Sequence, residues 1–405
     1  MSVVVSQMGA RMHYAVPRIL HEAGALERLY TDICAVQGFP RLLAGVPRDW
    51  QPSAMRRLLG RVPAGLPRSR IRSFPAMGAW QVMERMRARD QAEETRLALL
   101  EAQAFSRAVV RSGFGSAAGF YGIAGECLEQ LRAARARGLW TVVEQIIAPR
   151  DVVERLVAAE AQRFPAWGTV RFDPHAWAFA QRERHEWEIA DRIVCPSHFV
   201  RNGVIAEGGP AEKCVVVPYG IDTQRFAAPT RKRGKRLRVL TVGAVGLRKG
   251  SPYVVETARA LGRDAEFRMI GGLAGLPDPA LAAASNLELL GTVPRAEIAR
   301  HFAWADLFLL PSACEGSATV TYEALAAGLP VVATPNAGSV VEDGLSGFIV
   351  PLGDTGAIVA ALHRLGDERT LDAMSRAAVA RAAEFDLAAY GRRLLAALAP
   401  LRNAA

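Results

Sequence analysis

Residues 310–353 read LPSACEGSATVTYEALAAGLPVVATPNAGSVVEDGLSGFIVPLG, and apolar runs alternate there with a helical pattern. The run Leu307–Leu310 predicts a buried strand that ends at Pro311. Residues 320–327 predict a helix that stops at Gly328, and Val331–Ala333 predicts the next strand. Strand, loop, helix and strand in this order form one unit of a parallel α/β sheet.

Two carboxylates frame the loop and helix of this unit. Glu315 precedes the helix and Glu323 lies within it, so mostly helical geometry would separate them by about 12 Å. Free backbone N–H groups at the helix start would bind an anionic group between them, and small side chains would admit it. These residues are Gly316, Ser317, Ala318, Thr319 and Val320. A hydroxyl-rich group at each end and a phosphate in the middle describe a nucleotide sugar; alternatively, both glutamates are caps or solvated side chains.

Length and cysteine content suggest the general class of protein. A chain of 405 residues exceeds the roughly 250–300 at which a single core stops growing, so two domains are expected. Five cysteines without paired spacing argue against a zinc site or disulfide framework and for a reducing compartment. No run approaches 18 apolar residues, and residues 1–5 predict a first strand instead of a signal peptide.

The charge is strongly basic, with a net value of +10. This suits anionic substrates, anionic lipid or nucleic acid, although an arginine-rich coding bias would give the same value. No nucleic-acid motif is present, so no such partner is expected. Eight arginines between Arg41 and Arg72 face one acid, Asp49. They predict a peripheral contact with anionic lipid or an anionic acceptor; a solvated irregular insertion is the alternative.

The start of the chain predicts a strand, a glycine turn and a helix. Strand Val3–Ser6 precedes Gly9, which either admits a phosphate or sugar or only makes the turn. The helix spans residues 11–23 or begins at Pro17. His13 lies at the carboxyl edge of the strand, where α/β ligands bind, but a lone histidine can be structural. Glu144 ends a later strand at the same edge, as a site residue or a strand-end cap.

The rest of the first half alternates strands and helices. Residues 79–111 predict one or two helices packed on the sheet through Val82, Met86, Leu97 and Leu100. Strands at 117–121, 140–143, 192–195 and 215–217 enclose helices at 124–136 and 176–190, which predicts a doubly wound parallel sheet. The domains are therefore expected at 1–222 and 237–385, with a basic linker at 223–236 and a last helix from residue 386.

A second series of strands begins near Leu237. Strands at 239–242, 266–270 and 287–290 alternate with helices at 252–261 and 295–304, and further helices follow at 355–365, 371–384 and 386–399. Arg248 and Lys249 follow the first of these strands and would face the same crevice as Glu315. A bidentate arginine beside a lysine suits a diphosphate, whereas an exposed basic loop is the alternative.

Four stretches together resemble family 4 of the retaining glycosyltransferases (glycosyl transferases group 1), which have the GT-B fold. They are VVPYGID (216–222), VGAVGLRKG (242–250), GTVPRAEI (291–298) and the block at 310–354. The resemblance implies two Rossmann-like α/β domains facing across a cleft, with the nucleotide sugar on the second domain. It implies that Arg248 and Lys249 hold the diphosphate, Glu315 the donor sugar and Glu323 the ribose. It also implies that Val293 borders the base and that the last helix returns to the first domain.

The chain departs from the family pattern in three places. Gly316-Ser317-Ala318 replaces a usual Gly-Phe-Gly, Tyr219 replaces a common asparagine, and the family's histidine after the fifth strand is not evident in VVEQII (142–147). The first departure bears on which sugar is used. Glu144 or Gln145 could occupy similar space to the absent histidine.

The expected reaction is sugar transfer from a nucleotide-diphosphate sugar to a hydroxyl of a saccharide or lipid-linked acceptor, with anomeric retention, in cell-surface polysaccharide biosynthesis. Glu315, Arg248 and Lys249 would be catalytic, and the two cations would stabilise the leaving group without a metal. No cofactor is expected beyond the donor. The expected location is the cytoplasm, with a peripheral contact at the inner face of the membrane left open. The alternatives are an epimerase or phosphorylase of the same fold and a non-catalytic scaffold.

Overall fold

The computed structural model describes residues 2–47, 50–88, 90–169, 171–226 and 234–404. Arg48 and Asp49 of the basic segment, and residues 227–233 of the predicted linker, lie outside these ranges. The described chain forms two parallel sheets, each with helices on both faces. The prediction of two Rossmann-like α/β units is therefore confirmed.

The first sheet has seven strands in the order β3-β2-β1-β4-β5-β6-β7. The strands are Val3–Ser6 (β1), Leu26–Thr31 (β2), Ile71–Ser73 (β3), Gly119–Ile123 (β4), Trp140–Glu144 (β5), Arg192–Cys195 (β6) and Cys214–Val216 (β7). Its helices are Ala15–Glu22 (α1), Phe39–Leu43 (α2), Ser53–Leu59 (α3), Pro75–Arg87 (α4), Gln91–Ser112 (α5), Leu128–Arg135 (α6), Arg150–Arg163 (α7), Ala176–Ile189 (α8) and His198–Ala206 (α9). Central strands β1, β4 and β5 are buried along their whole length, as parallel strands covered on both faces require.

The second sheet has six strands in the order β10-β9-β8-β11-β12-β13. The strands are Leu237–Val242 (β8), Ala265–Ile270 (β9), Leu287–Gly291 (β10), Leu307–Leu310 (β11), Val331–Ala333 (β12) and Gly347–Ile349 (β13). The helices are Ser251–Leu261 (α10), Ile298–Trp304 (α11), Thr319–Ala326 (α12), Thr355–Gly366 (α13), Glu368–Ala383 (α14) and Leu387–Ala404 (α15). Strand β11 is fully buried at the centre of this sheet, so the loop that follows it is held in a fixed position.

The structure corrects the predicted start of the first helix. Arg11–Tyr14 is a 3-10 turn, and α1 begins at Ala15, so Pro17 lies in the first turn of the helix. Met12, His13 and Tyr14 have left-handed backbone angles, with φ of 45°, 50° and 59°. Such angles are costly for residues with a side chain, and no local sequence pattern announces them.

Two other predictions on the first domain need correction. Val82, Met86 and Leu100 are 52%, 82% and 40% exposed and do not pack on the sheet, whereas Leu97 is buried. Residues 79–111 form parts of two helices, which is one of the two predicted arrangements, and Asp90 caps the second helix, α5, by accepting a hydrogen bond from the amide of Glu93. Part of the basic 41–72 segment is also regular, since Ile71–Ser73 forms β3 and pairs with β2.

Helix α7 and the turn after it reach from the first domain to the second. The Phe164 ring packs edge-on against Tyr253 of α10 with centroids 5.0 Å apart. The Tyr253 hydroxyl donates to Glu160 at 2.5 Å, and Trp167 is buried in the hydrophobic core of the second sheet. These contacts hold the two sheets together at one side of the cleft.

The chain crosses between the sheets twice at a second place. Residues Gly220 and Ile221 lead outward, and Phe385 and Asp386 lead back into α15. The amide of Ile221 donates to the carbonyl of Phe385 at 3.0 Å, and Ile221 forms a parallel bridge with Asp386. Helix α15 then packs on α1 of the first domain. In the described ranges, no helix is long and apolar enough to cross a membrane.

Candidate functional site

Arg248, Lys249 and Glu315 come together at the carboxyl edge of the second sheet. Arg248 and Lys249 lie on the turn after β8, and Glu315 lies on the loop after β11, the strand beside it. Glu315 Oε1 accepts from Arg248 Nη1 at 2.6 Å and from Lys249 Nζ at 2.8 Å. Arg248 also donates to the carbonyl of Cys314 at 3.1 Å, which fixes its direction. Two cations and one carboxylate thus face the same point, as the order of the strands predicts.

Glu323 is buried in α12 and faces a cavity between the two domains. Its Oε1 accepts from Arg295 Nη2 at 3.2 Å. Burial raises the pKa of Glu323, although Arg295 and Arg225 act in the opposite direction. A carboxylate has two oxygens with several acceptor positions, so Glu323 can also accept hydrogen bonds from hydroxyl groups of a ligand.

We call the space before Glu323 the interdomain cavity; its volume is about 440 Å³. Three arginines line it, Arg18, Arg225 and Arg295, against two carboxylates, Asp222 and Glu323. The surplus of positive charge suits an anionic ligand. These arginines were missed in the sequence, although Arg225 is the third residue after PYGID and Arg295 lies inside GTVPRAEI.

The cluster of Arg248, Lys249 and Glu315 does not line the interdomain cavity. The start of α12 lies between them in the chain, and Thr319 lines the cavity there. The first amides of a helix have no partner within the helix, so those of Thr319 and Val320 can bind an anion. The predicted arrangement of two carboxylates around a helix start is therefore present, and Glu323 lines the interdomain cavity while Glu315 does not.

Gly316 and Ser317 make contacts that the sequence did not suggest. A Cβ at Gly316 would lie 1.8 Å from the carbonyl oxygen of Ile146 in the first domain, so only glycine permits this contact. The hydroxyl of Ser197 donates to the carbonyl of Gly316 at 2.5 Å. Ser317 Oγ donates to the carbonyl of Gly338 at 2.9 Å and shares a 2.6 Å hydrogen bond with Tyr322 Oη. The small side chains here allow the two domains and the neighbouring loops to touch.

His13 lies on the first-domain wall of the interdomain cavity. Burial lowers the pKa of His13, and Arg295, Arg225 and Arg18 lower it further. The imidazole is therefore neutral near pH 7 and can accept or donate a hydrogen bond.

Glu144 is buried at the end of β5, outside the interdomain cavity. It accepts from the hydroxyls of Tyr121 at 2.8 Å and Tyr219 at 3.1 Å, and burial raises its pKa. This explains Tyr219, whose hydroxyl supports the carboxylate. Glu144 lines a separate space of about 220 Å³, the Glu144 cavity, together with Arg11 and Met12.

The two remaining predicted residues lie at the edges of the site. Gly9 has a φ of 73° and donates its amide to Asp32 Oδ1 at 2.8 Å. A Cβ at Gly9 would meet no atom within 4 Å, so its backbone faces open space. Val293 follows β10 and is half-buried against the core.

The chain is similar in sequence to known glycosyltransferases. Residues 236–368 match the family model described as "Glycosyl transferases group 1". The chain is similar to the amylovoran biosynthesis glycosyltransferase AmsK of Erwinia amylovora, with 34% identity over 186 residues, 42% of this chain and 46% of that protein. The chain spans about half the length of the curated relatives that it matches first.

Solved structures match along the whole chain. Sucrose-phosphate synthase from Thermosynechococcus elongatus superposes with a TM-score of 0.69 at 14% identity and covers 100% of both chains. Anabaena HepE, solved with UDP and glucose, superposes with a TM-score of 0.61 at 16% identity, over 99% of this chain and 100% of that one. At these identities the likeness concerns the fold. The match to the group 1 glycosyl transferase model therefore covers residues 236–368, which form most of the second domain, and the GT-B fold extends over both sheets.

Proposed function

We propose that the protein is a retaining, metal-independent glycosyltransferase that moves a sugar from a nucleotide-diphosphate sugar to an acceptor hydroxyl. The observation that carries the proposal is the convergence of Arg248 and Lys249 on Glu315, within 2.8 Å, on the domain that matches the family. Two partly buried cations can stabilise the charge that develops on a departing diphosphate.

The chemistry of transfer follows from these positions. The bond between the anomeric carbon and the diphosphate oxygen breaks, and a bond to the acceptor oxygen forms on the same face. The acceptor proton passes to the departing phosphate oxygen. Arg248, Lys249 and the first amides of α12 would hold that phosphate, and Glu315 would accept from the donor sugar's hydroxyls.

The nucleoside would occupy the interdomain cavity. The carboxylate of Glu323 is placed to accept from the ribose hydroxyls, and Val293 would border the base. The surplus charge of Arg18, Arg225 and Arg295 supports an anionic donor in this space. The domain division at 222 and 237 follows from the same proposal, with the donor on the second domain and the acceptor on the first.

We also propose a saccharide or lipid-linked acceptor, in the biosynthesis of a cell-surface polysaccharide. The relative named for amylovoran biosynthesis supports this role. Large apolar side chains are exposed within residues 39–86, including Leu42 and Trp50, each 79% exposed. Leu42 and Trp50 lie within the arginine-rich 41–72 segment, which supports a peripheral contact with anionic lipid.

The test is a donor panel. The purified full chain is incubated with UDP-, GDP- and ADP-sugars and an acceptor extract, with and without EDTA, and nucleotide release is measured. We expect release with one class of donor, unchanged by EDTA, and a product whose anomeric configuration by NMR equals that of the donor. Donor binding without turnover would indicate a scaffold, and binding of no nucleotide would refute the proposal.

A further inference from the structure

A third space lies in the first domain, at the carboxyl ends of β1, β2 and β4. We call it the first-domain cavity; its volume is about 270 Å³. Gly9 lies on its wall after β1, Asp32 after β2 and Glu126 after β4, and α4 covers it with Gln81 and Arg85. Its size is near the lower limit of about 300 Å³ for small-molecule pockets, so it would hold a small group.

The charges on its wall balance. Three pairs line or adjoin the cavity: Arg11 with Glu126 at 2.6 Å, Arg61 with Asp32 at 3.1 Å and Arg85 with Glu101 at 2.5 Å. The three carboxylate residues are 0–7% exposed, so their positions are fixed. Three positive and three negative charges leave no surplus for an anion, in contrast to the interdomain cavity.

Two buried donors on this wall have no strong acceptor. Arg11 Nε is buried and has no hydrogen-bond partner among the described residues. Gln81 is 6% exposed, and its amide nitrogen donates to the sulfur of Met8 at 3.4 Å, which is a weak acceptor. Buried polar groups are normally satisfied, so both donors point to a polar ligand or ordered water in this space.

The cavity is connected by shared residues to the proposed donor site. Arg11 lines both the first-domain cavity and the Glu144 cavity. Met12 lines both the Glu144 cavity and the interdomain cavity. The three spaces are therefore neighbours along the carboxyl edge of the first sheet.

We propose that the first-domain cavity binds one uncharged sugar ring of a saccharide acceptor. This ring is not the one that receives the new sugar but another ring of the same acceptor. This inference rests on the proposed function. A sugar hydroxyl both donates and accepts, which matches alternating guanidinium and carboxylate groups, whereas a phosphate only accepts and requires surplus positive charge. Any phosphate of a lipid-linked acceptor therefore lies outside this cavity.

The experiment measures sugar binding to the full chain with UDP present, so that the donor site is occupied. The probes are methyl α-glucoside, methyl α-galactoside and methyl α-mannoside, with glucose 6-phosphate as the anionic comparison, followed by saturation-transfer NMR. Gln81→Leu removes the buried amide, and Arg61→Met removes one partly exposed guanidinium. Arg87→Met is the matched control, because Arg87 lies on α4 outside the cavity and pairs with Glu84.

We expect at least one methyl hexoside to bind the parent more tightly than glucose 6-phosphate. Its affinity should fall about tenfold in Gln81→Leu and in Arg61→Met, as the loss of a hydrogen bond to the ligand predicts, and stay unchanged in Arg87→Met. The KM for the acceptor should rise by a similar factor, with the donor KM unchanged. Thermal unfolding midpoints show whether each variant folds.

The inference is overturned if glucose 6-phosphate binds as tightly as the hexosides, or if both folded variants retain full hexoside affinity. Its failure differs from failure of the proposed function. If both variants transfer sugar with an unchanged KM for the acceptor, the proposed sugar subsite is refuted and the proposed function is retained. Absence of nucleotide binding refutes the proposed function. Hexoside binding to the first-domain cavity is measured without turnover, so it is judged separately.

Discussion

The contact between Gly316 and Ile146 predicts that an added methyl group at Gly316 impairs transfer without impairing donor binding. In Gly316→Ala the new Cβ would lie 1.8 Å from the carbonyl oxygen of Ile146 and 2.8 Å from its carbonyl carbon. Both are backbone atoms, so no flexible side chain can move aside. The loop after β11 or the first domain must shift.

The size of the shift follows from ordinary contact distances. A carbon and a carbonyl oxygen approach to about 3.3 Å, so the two backbones must separate by about 1.5 Å. Overpacking of this kind costs about 1–3 kcal/mol, which reduces the population of the closed arrangement by about 5- to 150-fold. The hydrogen bond from Ser197 to Gly316 would lengthen as well.

The assay separates closure from donor binding. We expect kcat for transfer to fall by about 5- to 150-fold, because the two halves of the site no longer meet. The Kd for the nucleotide, measured by calorimetry, should change by less than about twofold, because the main proposed nucleotide contacts, Arg248, Lys249 and Glu323, lie in the second domain. Gly366→Ala is the control, since a Cβ at Gly366 meets no atom within 4 Å.

Either of two results would refute this reasoning. If kcat is unchanged in a folded Gly316→Ala protein, the contact with Ile146 is not needed for transfer. If the nucleotide Kd rises while kcat is retained, the loop acts on the donor pocket and not on the approach of the domains.

Three further predictions concern charge, pH and the exposed surface. Lys249→Met should lower kcat by about 10²- to 10³-fold, because the leaving group loses a stabilising cation. Lys213→Met is the control and should match the parent, since the Nζ of Lys213 donates to a surface carbonyl. Equal rates for the two variants in a nucleotide-release assay would contradict the role of Lys249. Burial raises the pKa of the Glu183 carboxyl from its ordinary 4.5 to about 7, so the folded state binds the carboxyl proton more tightly than the unfolded state. The free energy of unfolding should therefore fall by about 1.4 kcal/mol per pH unit as the pH rises from 4.5 to 7. Unfolding midpoints should therefore fall more between pH 5 and 8 in the parent than in Glu183→Gln, and parallel curves would exclude the effect. Leu42→Asp should weaken cosedimentation with phosphatidylserine vesicles several-fold, whereas Leu345→Asp should not, although Leu345 is also exposed (60%) on the second domain. Equal losses would remove the proposed membrane contact.

The second domain could be predicted from local sequence because its pattern is strong. Leu307–Leu310 is a continuous apolar run and is fully buried as β11, and Gly328 ends α12 as expected. The meeting of Arg248, Lys249 and Glu315 follows from adjacent strands whose loops open at one edge. That prediction needs only the strand order, which a doubly wound sheet restricts strongly.

Parts of the first domain could not be predicted, since their elements are short or charged. Strand β2 reads LERLYT, with charged residues in an edge-proximal strand, and β3 has only three residues. The left-handed turn at Met12 and His13 is fixed by tertiary packing. The exposed Val82 and Met86 fit a helical stripe that faces outward, and periodicity alone does not say which side of a helix is covered.

The missed site residues depend on contacts between distant segments. Arg18, Arg225 and Arg295 belong to three parts of the chain and meet only across the cleft. The same is true of Gly316 and Ile146, which are 170 positions apart in the sequence. Composition and spacing describe each segment separately, so neither the surplus charge nor the domain contact is visible before folding.

The two adjacent chain crossings limit how the domains can move. The outward segment at Ile221 and the returning segment at Phe385 are joined by a backbone hydrogen bond of 3.0 Å, so they act as one pivot. A pair of tethers at a single place resists sliding and permits mainly rotation about an axis through them. Such a rotation would separate Gly316 from Ile146 and open the cleft, while Arg248, Lys249 and Glu315 would move together as one body. A donor could thus remain bound on the second domain through repeated opening and closing, and each closure would bring it to the same position against the first domain.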